Sequence, residues 1–254
     1  MTSKTITLET GWRLAVYQSA TSTSDVIFAH PDAHEGLCVL ARQQTKGRGR
    51  HGRLWTSAID DGMYLSLALM PERDMREWPT LSFVAALSLL DALKELVPDL
   101  SAGLKWPNDV LVNRRKISGI LLEAKQNRLV LGCGVNLKNA PQVSGASFPA
   151  TDLEAETGVL LDPQELCLCF LAHFHYHYKN WQVTGFSTQI DLYKSQLLFV
   201  REKIAVTQGE KRLTGVMKGI TSDGDLLLED ESGHITSITT GDVNLLGFVD
   251  AISD

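Results

Sequence analysis

The sequence predicts an α+β protein in two parts: a larger mixed unit over residues 1–199 and a small β-barrel over residues 200–254. Three observations carry that expectation. Short apolar strands flank a run from Trp78 to Val97 whose apolar residues recur at helical spacing. A second helical region spans Asp162 to Leu198. After Phe199 the texture changes, and short strands alternate with turn signals at Gly209, Asp223-Gly224, Ser232-Gly233 and Gly241-Asp242.

Taken in order, Thr5 to Leu8 and Arg13 to Gln18 read as strands. Thr21-Ser22-Thr23-Ser24-Asp25 is rich in residues whose side-chain oxygens cap helix N-termini. Gly36 to Arg42 is an apolar strand, and Met63 to Met70 alternates as the next one. From Trp78 the spacing of Leu81, Val84, Ala85, Leu89, Leu93 and Leu96 predicts a helix that Pro98 ends. Val110 to Val112 and Ile117 to Glu123 read as paired strands joined by a turn at Asn113-Arg114-Arg115. Leu129 to Leu137 is a further strand, and Gly132-Cys133-Gly134 inside it suggests a β-bulge or a ligand slot. Asp162, Pro163 and Glu165 form the capping-box start of a helix to about Asn180, and a second helix is expected over Ser187 to Leu198.

Composition narrows the function. The 254 residues carry a net charge of −6, which argues against broad nonspecific nucleic-acid binding. No apolar run approaches the ~18 residues of a membrane span, and Met1 to Thr5 does not begin a signal peptide. Cys38, Cys133, Cys167 and Cys169 show no disulfide-framework spacing, so a cytoplasmic, reduced protein is expected.

Within this acidic chain lies a basic island, Gly47-Arg48-Gly49-Arg50-His51-Gly52-Arg53-Leu54-Trp55. Its glycines free the backbone, its arginines offer planar forks for phosphate or carboxylate, and its indole offers a stacking face. A mobile loop closing over a phosphorylated ligand fits these properties. The glycine spacing also matches a dinucleotide fingerprint, but the following Thr56 to Gly62 reads as a polar turn rather than a helix. No Walker G-K-[ST] is present, and no H-R-D or D-F-G follows. An RGG-like nucleic-acid segment stays open at this point.

Three further stretches carry chemistry. In Lys105-Trp106-Pro107-Asn108-Asp109, Pro107 holds Trp106 extended and fixes where Asn108 and Asp109 point. In Arg115 to Glu123, Lys116 is a candidate point charge and Gly119 admits close approach by a ligand or a backbone. Gly132-Cys133-Gly134-Val135-Asn136 repeats the thinning of a strand.

Together, in this order, the motifs resemble those of the biotin protein ligases: A-x-Q-Q-T-x-G-R-G-R-x-G-R-x-W at Ala41 to Trp55, K-W-P-N-D at Lys105 to Asp109, R-K-x-x-G-I-L-x-E at Arg115 to Glu123, and G-x-G-x-N at Gly132 to Asn136. The resemblance spans roughly residues 15 to 250. It implies a catalytic domain related to class II aminoacyl-tRNA synthetases and lipoate ligases, followed by an SH3-like C-terminal domain. It also implies a reaction: biotin and ATP give biotinyl-5′-AMP, and a lysine of the biotin carboxyl carrier domain of acetyl-CoA carboxylase, or of another biotin-dependent carboxylase, then takes the biotinyl group.

By this resemblance Ser22, Thr23, Gln44, Gly47, Arg48, Lys116, Gly119 and Gly134 would contact biotin. Arg50, Arg53, Trp55, Asn108, Lys116 and Asn136 would contact ATP, with Trp55 stacking on adenine. Lys116, Arg50 and Arg48 would carry catalysis, and Asp109 would contact Mg²⁺. The family often has S-T-N near its N-terminus, where this chain has Ser22-Thr23-Ser24. Its first motif begins near residue 18, which leaves no room for a DNA-binding helix-turn-helix, so a ligase without direct repressor activity is expected. Lipoate or octanoate attachment is the rival activity on the same fold. Exposed strand edges leave a homodimer open.

Two distractors remain. Cys167-Leu168-Cys169 with His173, His175 and His177 invites a metal reading, but Cys167 and Cys169 point apart on a helix, and a partly exposed helix with aromatic packing is preferred. Cys133 as a nucleophile competes with its place inside the glycine pair.

Overall fold

The computed structural model describes residues 4–125, 128–142 and 148–245. In chain order the first unit contains β1 (Lys4–Thr7), β2 (Arg13–Tyr17), α1 (Thr23–Ala29), β3 (Leu37–Ala41), β4 (Gly47–Arg48), β5 (Leu54–Trp55), β6 (Gly62–Leu69), α2 (Leu81–Leu96), β7 (Ala102–Lys105), β8 (Asp109–Val112), β9 (Arg115–Lys125), β10 (Arg128–Asn136), α3 (Leu153–Thr157), α4 (Pro163–Thr184) and α5 (Ile190–Ser195). The second unit contains β11 (Lys203–Gln208), β12 (Lys211–Ile220), β13 (Leu226–Glu229), β14 (Ile235–Ile238) and β15 (Asp242–Leu245).

Eight strands form the main sheet in the order β1-β2-β3-β6-β10-β9-β8-β7. The β2–β3 pair is parallel, and α1 makes the crossover that such a pair requires. The other neighbours run antiparallel.

Side-chain alternation divides this sheet into two working faces. On β10, Leu129, Leu131, Cys133 and Val135 enter the large core built with α2 and α4. The intervening Val130 packs with Ile27 of α1, while Gly132, Gly134 and Asn136 line an open cleft. The helix face is closed by apolar mass. Leu81, Val84, Ala85, Leu89 and Leu93 of α2 are fully buried, and along α4 Phe170, Phe174, Tyr178 and Trp181 stack in succession with centroids 5.6–6.0 Å apart. This is the aromatic packing expected of α4.

Several elements differ from expectation for identifiable reasons. Trp78 to Thr80 belongs to a 3₁₀ turn over Met75–Thr80 that contains Pro79, and the α-helix begins only at Leu81. The second helix expected over Ser187 to Leu198 shrinks to Ile190–Ser195 after a 3₁₀ turn, because Leu197 and Leu198 leave it to pair with Leu104. That pairing covers the edge strand β7, which has no clear apolar period of its own. Asp162 caps α4 by accepting from the Gln164 and Glu165 amides.

No bulge occurs at Gly132-Cys133-Gly134, which holds register with both neighbours. The irregularity lies across β8 and β9, where Val110 pairs Ser118 and Leu111 pairs Lys116. Ile117 is therefore an extra residue, and it is fully buried. A strict alternation from Gly119, on the cleft face, would send Lys116 into the helix core. The inserted residue resets the parity and returns Lys116 to the cleft. The turn at Asn113-Arg114 has φ of 48° and 64° and joins the tight β8–β9 hairpin.

The second sheet is antiparallel, ordered β14-β13-β12-β11-β15, and forms the C-terminal β unit. Residues 246–254 of the expected 200–254 segment lie outside the described residues. Its apolar side chains, including Ile204, Val206 and Leu226, join the core of the first unit. The indole of Trp106, fully buried, donates to the Gly224 carbonyl at 2.8 Å. Trp106→Phe would leave that buried carbonyl unpaired, so urea unfolding should report a loss of about 1–3 kcal/mol.

Candidate active site

The cleft has a volume of ≈ 680 Å³ and lies on the sheet face opposite α2 and α4. Its size suits a small-molecule ligand. One end is neutral and polar. The Gln44 carbonyl oxygen accepts from the Thr23 amide at 2.9 Å and the Thr23 hydroxyl at 3.1 Å. Thr23 Oγ1 also lies 2.7 Å from Ser66 Oγ, and Ser24 Oγ is 3.1 Å from that same hydroxyl. Ser22 is buried beside them. Ser24, doubtful on sequence, thus belongs to this network, and Ser66 on β6 is a polar residue that motif reading missed. Its signal was a lone serine on the alternating strand Gly62–Leu69.

The middle of the cleft is floored by Gly119 and Gly134, which face each other across β9 and β10. Trp55 presses on both. A Cβ added to Gly134 would lie 2.6 Å from Trp55 Cε2, and one on Gly119 would lie 3.1 Å from Cζ3. Gly47 sits under the Trp55 carbonyl in the same way, at 2.4 Å. Gly134→Val should therefore displace the indole and weaken small-ligand binding in the cleft by about 10–100-fold, the cost of overpacking a filled site. Titration calorimetry of the variant beside the wild type checks this.

The other end is charged. Asp109 is buried, with Lys105 Nζ hydrogen-bonded at 2.8 Å and Lys116 Nζ at 2.6 Å, the latter off the hydrogen-bond direction. Burial by itself would raise the Asp109 carboxyl, but the two ammonium groups outweigh it and hold it well below the usual carboxylate range. Burial pulls Lys105 down. The backbone of Lys116 is clamped on both sides by Pro149 and Thr151. Asn108 donates to the Ile120 carbonyl at 2.6 Å and accepts from Arg50 at 3.0 Å. Asn136 donates to the Thr151 carbonyl at 3.1 Å.

The basic island is a hairpin, β4 paired with β5, closed by a turn in which His51 has φ 56° and Gly52 φ 72°. Its three arginines have separate fates. Arg48 grips both oxygens of Asp25 at 2.8 Å and reaches Glu123 at 3.2 Å, so two carboxylates already neutralise it. In this structure it ties the hairpin to α1 and β9. Arg50 leans towards the C-terminal sheet, 3.7 Å from Asp242, and Arg53 pairs with that same carboxylate. Asp242 lies at the cleft although no motif marked it. Cys133 points into the helix core, where burial pushes its thiol up to about 12, which disqualifies it as a nucleophile.

The pattern of the Biotin/lipoate A/B protein ligase family matches residues 15–138, and that of the biotin protein ligase C-terminal domain matches residues 202–246. The chain belongs to the biotin/lipoate protein ligase family. Within this ligase family it is similar to the biotin–[acetyl-CoA-carboxylase] ligase of Paracoccus denitrificans, at 35% identity over 77% of this chain and 85% of that protein. It is also similar to the bifunctional ligase/repressor BirA of Bacillus subtilis, at 31% identity over 89% of this chain and 71% of that one. The solved biotin protein ligase from Aquifex aeolicus, in complex with biotin and ATP, superposes with a TM-score of 0.81 at 30% identity, covering 91% of this chain and 97% of that chain. The ligase fold thus accounts for both units: a mixed α+β catalytic part and a C-terminal antiparallel sheet.

Proposed function

We propose that this protein uses ATP to activate biotin as biotinyl-5′-AMP and transfers the biotinyl group to a lysine of a biotin carboxyl carrier domain, that of acetyl-CoA carboxylase or of another biotin-dependent carboxylase. One observation carries this reading: a single cleft joins a neutral hydroxyl-amide end to a cationic end across a glycine floor. Hydroxyls and an amide suit the donors and acceptors of a cyclic urea. The cations suit a carboxylate meeting a phosphate.

In the first step a biotin carboxylate oxygen attacks the α-phosphorus, an O–P bond forms, and the bond to pyrophosphate breaks. Lys116 faces the place where that negative charge gathers, and its fixed ammonium stabilises the transferring group. In the second step the carrier lysine, as a free amine, attacks the acyl carbon. A C–N bond forms, the C–O bond to AMP breaks, and the amine loses a proton. Arg50 and Arg53 serve the phosphates by exchanging Asp242 for them, while Asn108 and Asn136 line the nucleotide side. A base stacked on Trp55 would lie beside Lys116, whose Nζ is 6.0 Å from the ring centroid.

Mg²⁺ enters with the nucleotide as part of the substrate. Asp109, expected as its ligand, turns its oxygens to two ammonium groups and does not fit a preformed cation site, so it serves as the counter-ion that positions Lys116. Four free thiols support a reducing, cytoplasmic setting.

The test supplies ATP and Mg²⁺ with either biotin or lipoate, and measures pyrophosphate release and acyl-adenylate mass. Turnover and a biotinyl-AMP mass with biotin alone are expected. A lipoyl-adenylate instead, or binding to nucleic acid without turnover, would overturn the assignment.

A further inference from the structure

We propose that Glu95, Cys169 and His173 form a second, independent site that binds a Zn²⁺-class divalent ion where the C-terminal turn of α2 meets α4. Cys169 and His173 are four residues apart and share one face of α4. Glu95 reaches them from α2. The thiol sulfur, a ring nitrogen and a carboxylate oxygen lie within 4.8 Å of one another, and His173 Nε2 is 2.8 Å from a Glu95 oxygen.

The next turn of the same helix pair supplies a contrast. His177 bonds Asp91 at 2.8 Å through one nitrogen and Gln189 at 2.9 Å through the other, and it is buried. That couple is complete and has no thiol. The Glu95–His173 couple sits at the solvent edge, with the Glu95 side chain 63% exposed, and has a sulfur beside it. Glu165, one turn before Cys169 on α4, adds negative charge to the same corner.

A sulfur, an imidazole and a carboxylate are the donors that a borderline-soft ion selects, with water completing a tetrahedron. Ligands at ~2.0–2.3 Å require the Glu95–His173 contact to open slightly around the ion. Binding replaces the S–H bond with a metal–sulfur bond and releases the proton to solvent. The ion would clip α2 to α4 on the sheet face opposite the cleft, and its effect would be on stability rather than turnover.

The test uses the full, tag-free chain stripped with a chelator and titrated with Co²⁺ as the spectroscopic probe. Expected are one equivalent bound, a thiolate-to-cobalt band in the near ultraviolet with tetrahedral visible bands, displacement by Zn²⁺, and a rise in the thermal midpoint of roughly 5 °C. Cys169→Ser and Glu95→Gln should keep the wild-type metal-free midpoint and adenylation rate but lose the band and the rise. Absence of the band in the wild type, or its persistence in Cys169→Ser, would overturn the site.

Discussion

Lys116→Ala should slow formation of biotinyl-AMP by about 10²–10³-fold, the loss usual when a preorganised charge is removed from a developing oxyanion. Its effect on folding should be small. The Lys116 side chain is about one-third exposed, and Asp109 keeps its hydrogen-bonded partner Lys105 when Lys116 is gone. A partly exposed ion pair contributes less than about 1 kcal/mol. Single-turnover pyrophosphate release, read beside a urea unfolding curve, separates the two effects. A variant with normal adenylation and a collapsed unfolding midpoint would assign Lys116 to the scaffold.

Asp109→Asn should carry a large cost in stability. It strands the buried Lys105 ammonium and leaves Lys116 without a counter-ion, and breaking such a pair from one side costs about 3–5 kcal/mol. For a chain of this size that is roughly a 10 °C fall in the thermal midpoint. The pH dependence has a definite sign. The two lysines hold the folded Asp109 carboxyl below its ordinary value, so its stabilisation is complete above the unfolded pKa of ~3.9 and is lost as pH falls towards the folded value. The stability gap between wild type and Asp109→Asn should therefore be full at neutral pH and narrow below about pH 4. A gap that stays constant into acid would place the defect in packing instead of charge.

The strands and helices that stood out in the sequence were those whose two sides face different surroundings. The Leu81–Leu96 spacing and the Asp162 cap are local signals, and both elements formed. Strand β7 was not legible, and the helix expected over Ser187 to Leu198 was read too long at its end, because the pairing of Leu104 with Leu197 is a long-range contact that no local pattern announces. In the site, the motifs marked most of the cleft wall, since glycine and charge in apolar strands are unusual in themselves. They could not reveal which charges are already spent. Arg48 looks like Arg50 in sequence, yet it is bound by Asp25 and Glu123, which lie 23 and 75 residues away. The placement of the bulge was equally hidden. Glycines drew attention to Gly132-Cys133-Gly134, whereas the inserted residue is Ile117, an ordinary strand former.

The division of β10 into helix-facing and cleft-facing positions makes the strand two independently editable texts written on alternate letters. Changes at Leu131 or Val135 touch the fold's stability, and changes at Gly132 or Gly134 touch the shape of what the cleft accepts. A search for variants that admit biotin analogues can therefore randomise the second set while holding the first fixed, and most of the library should remain folded.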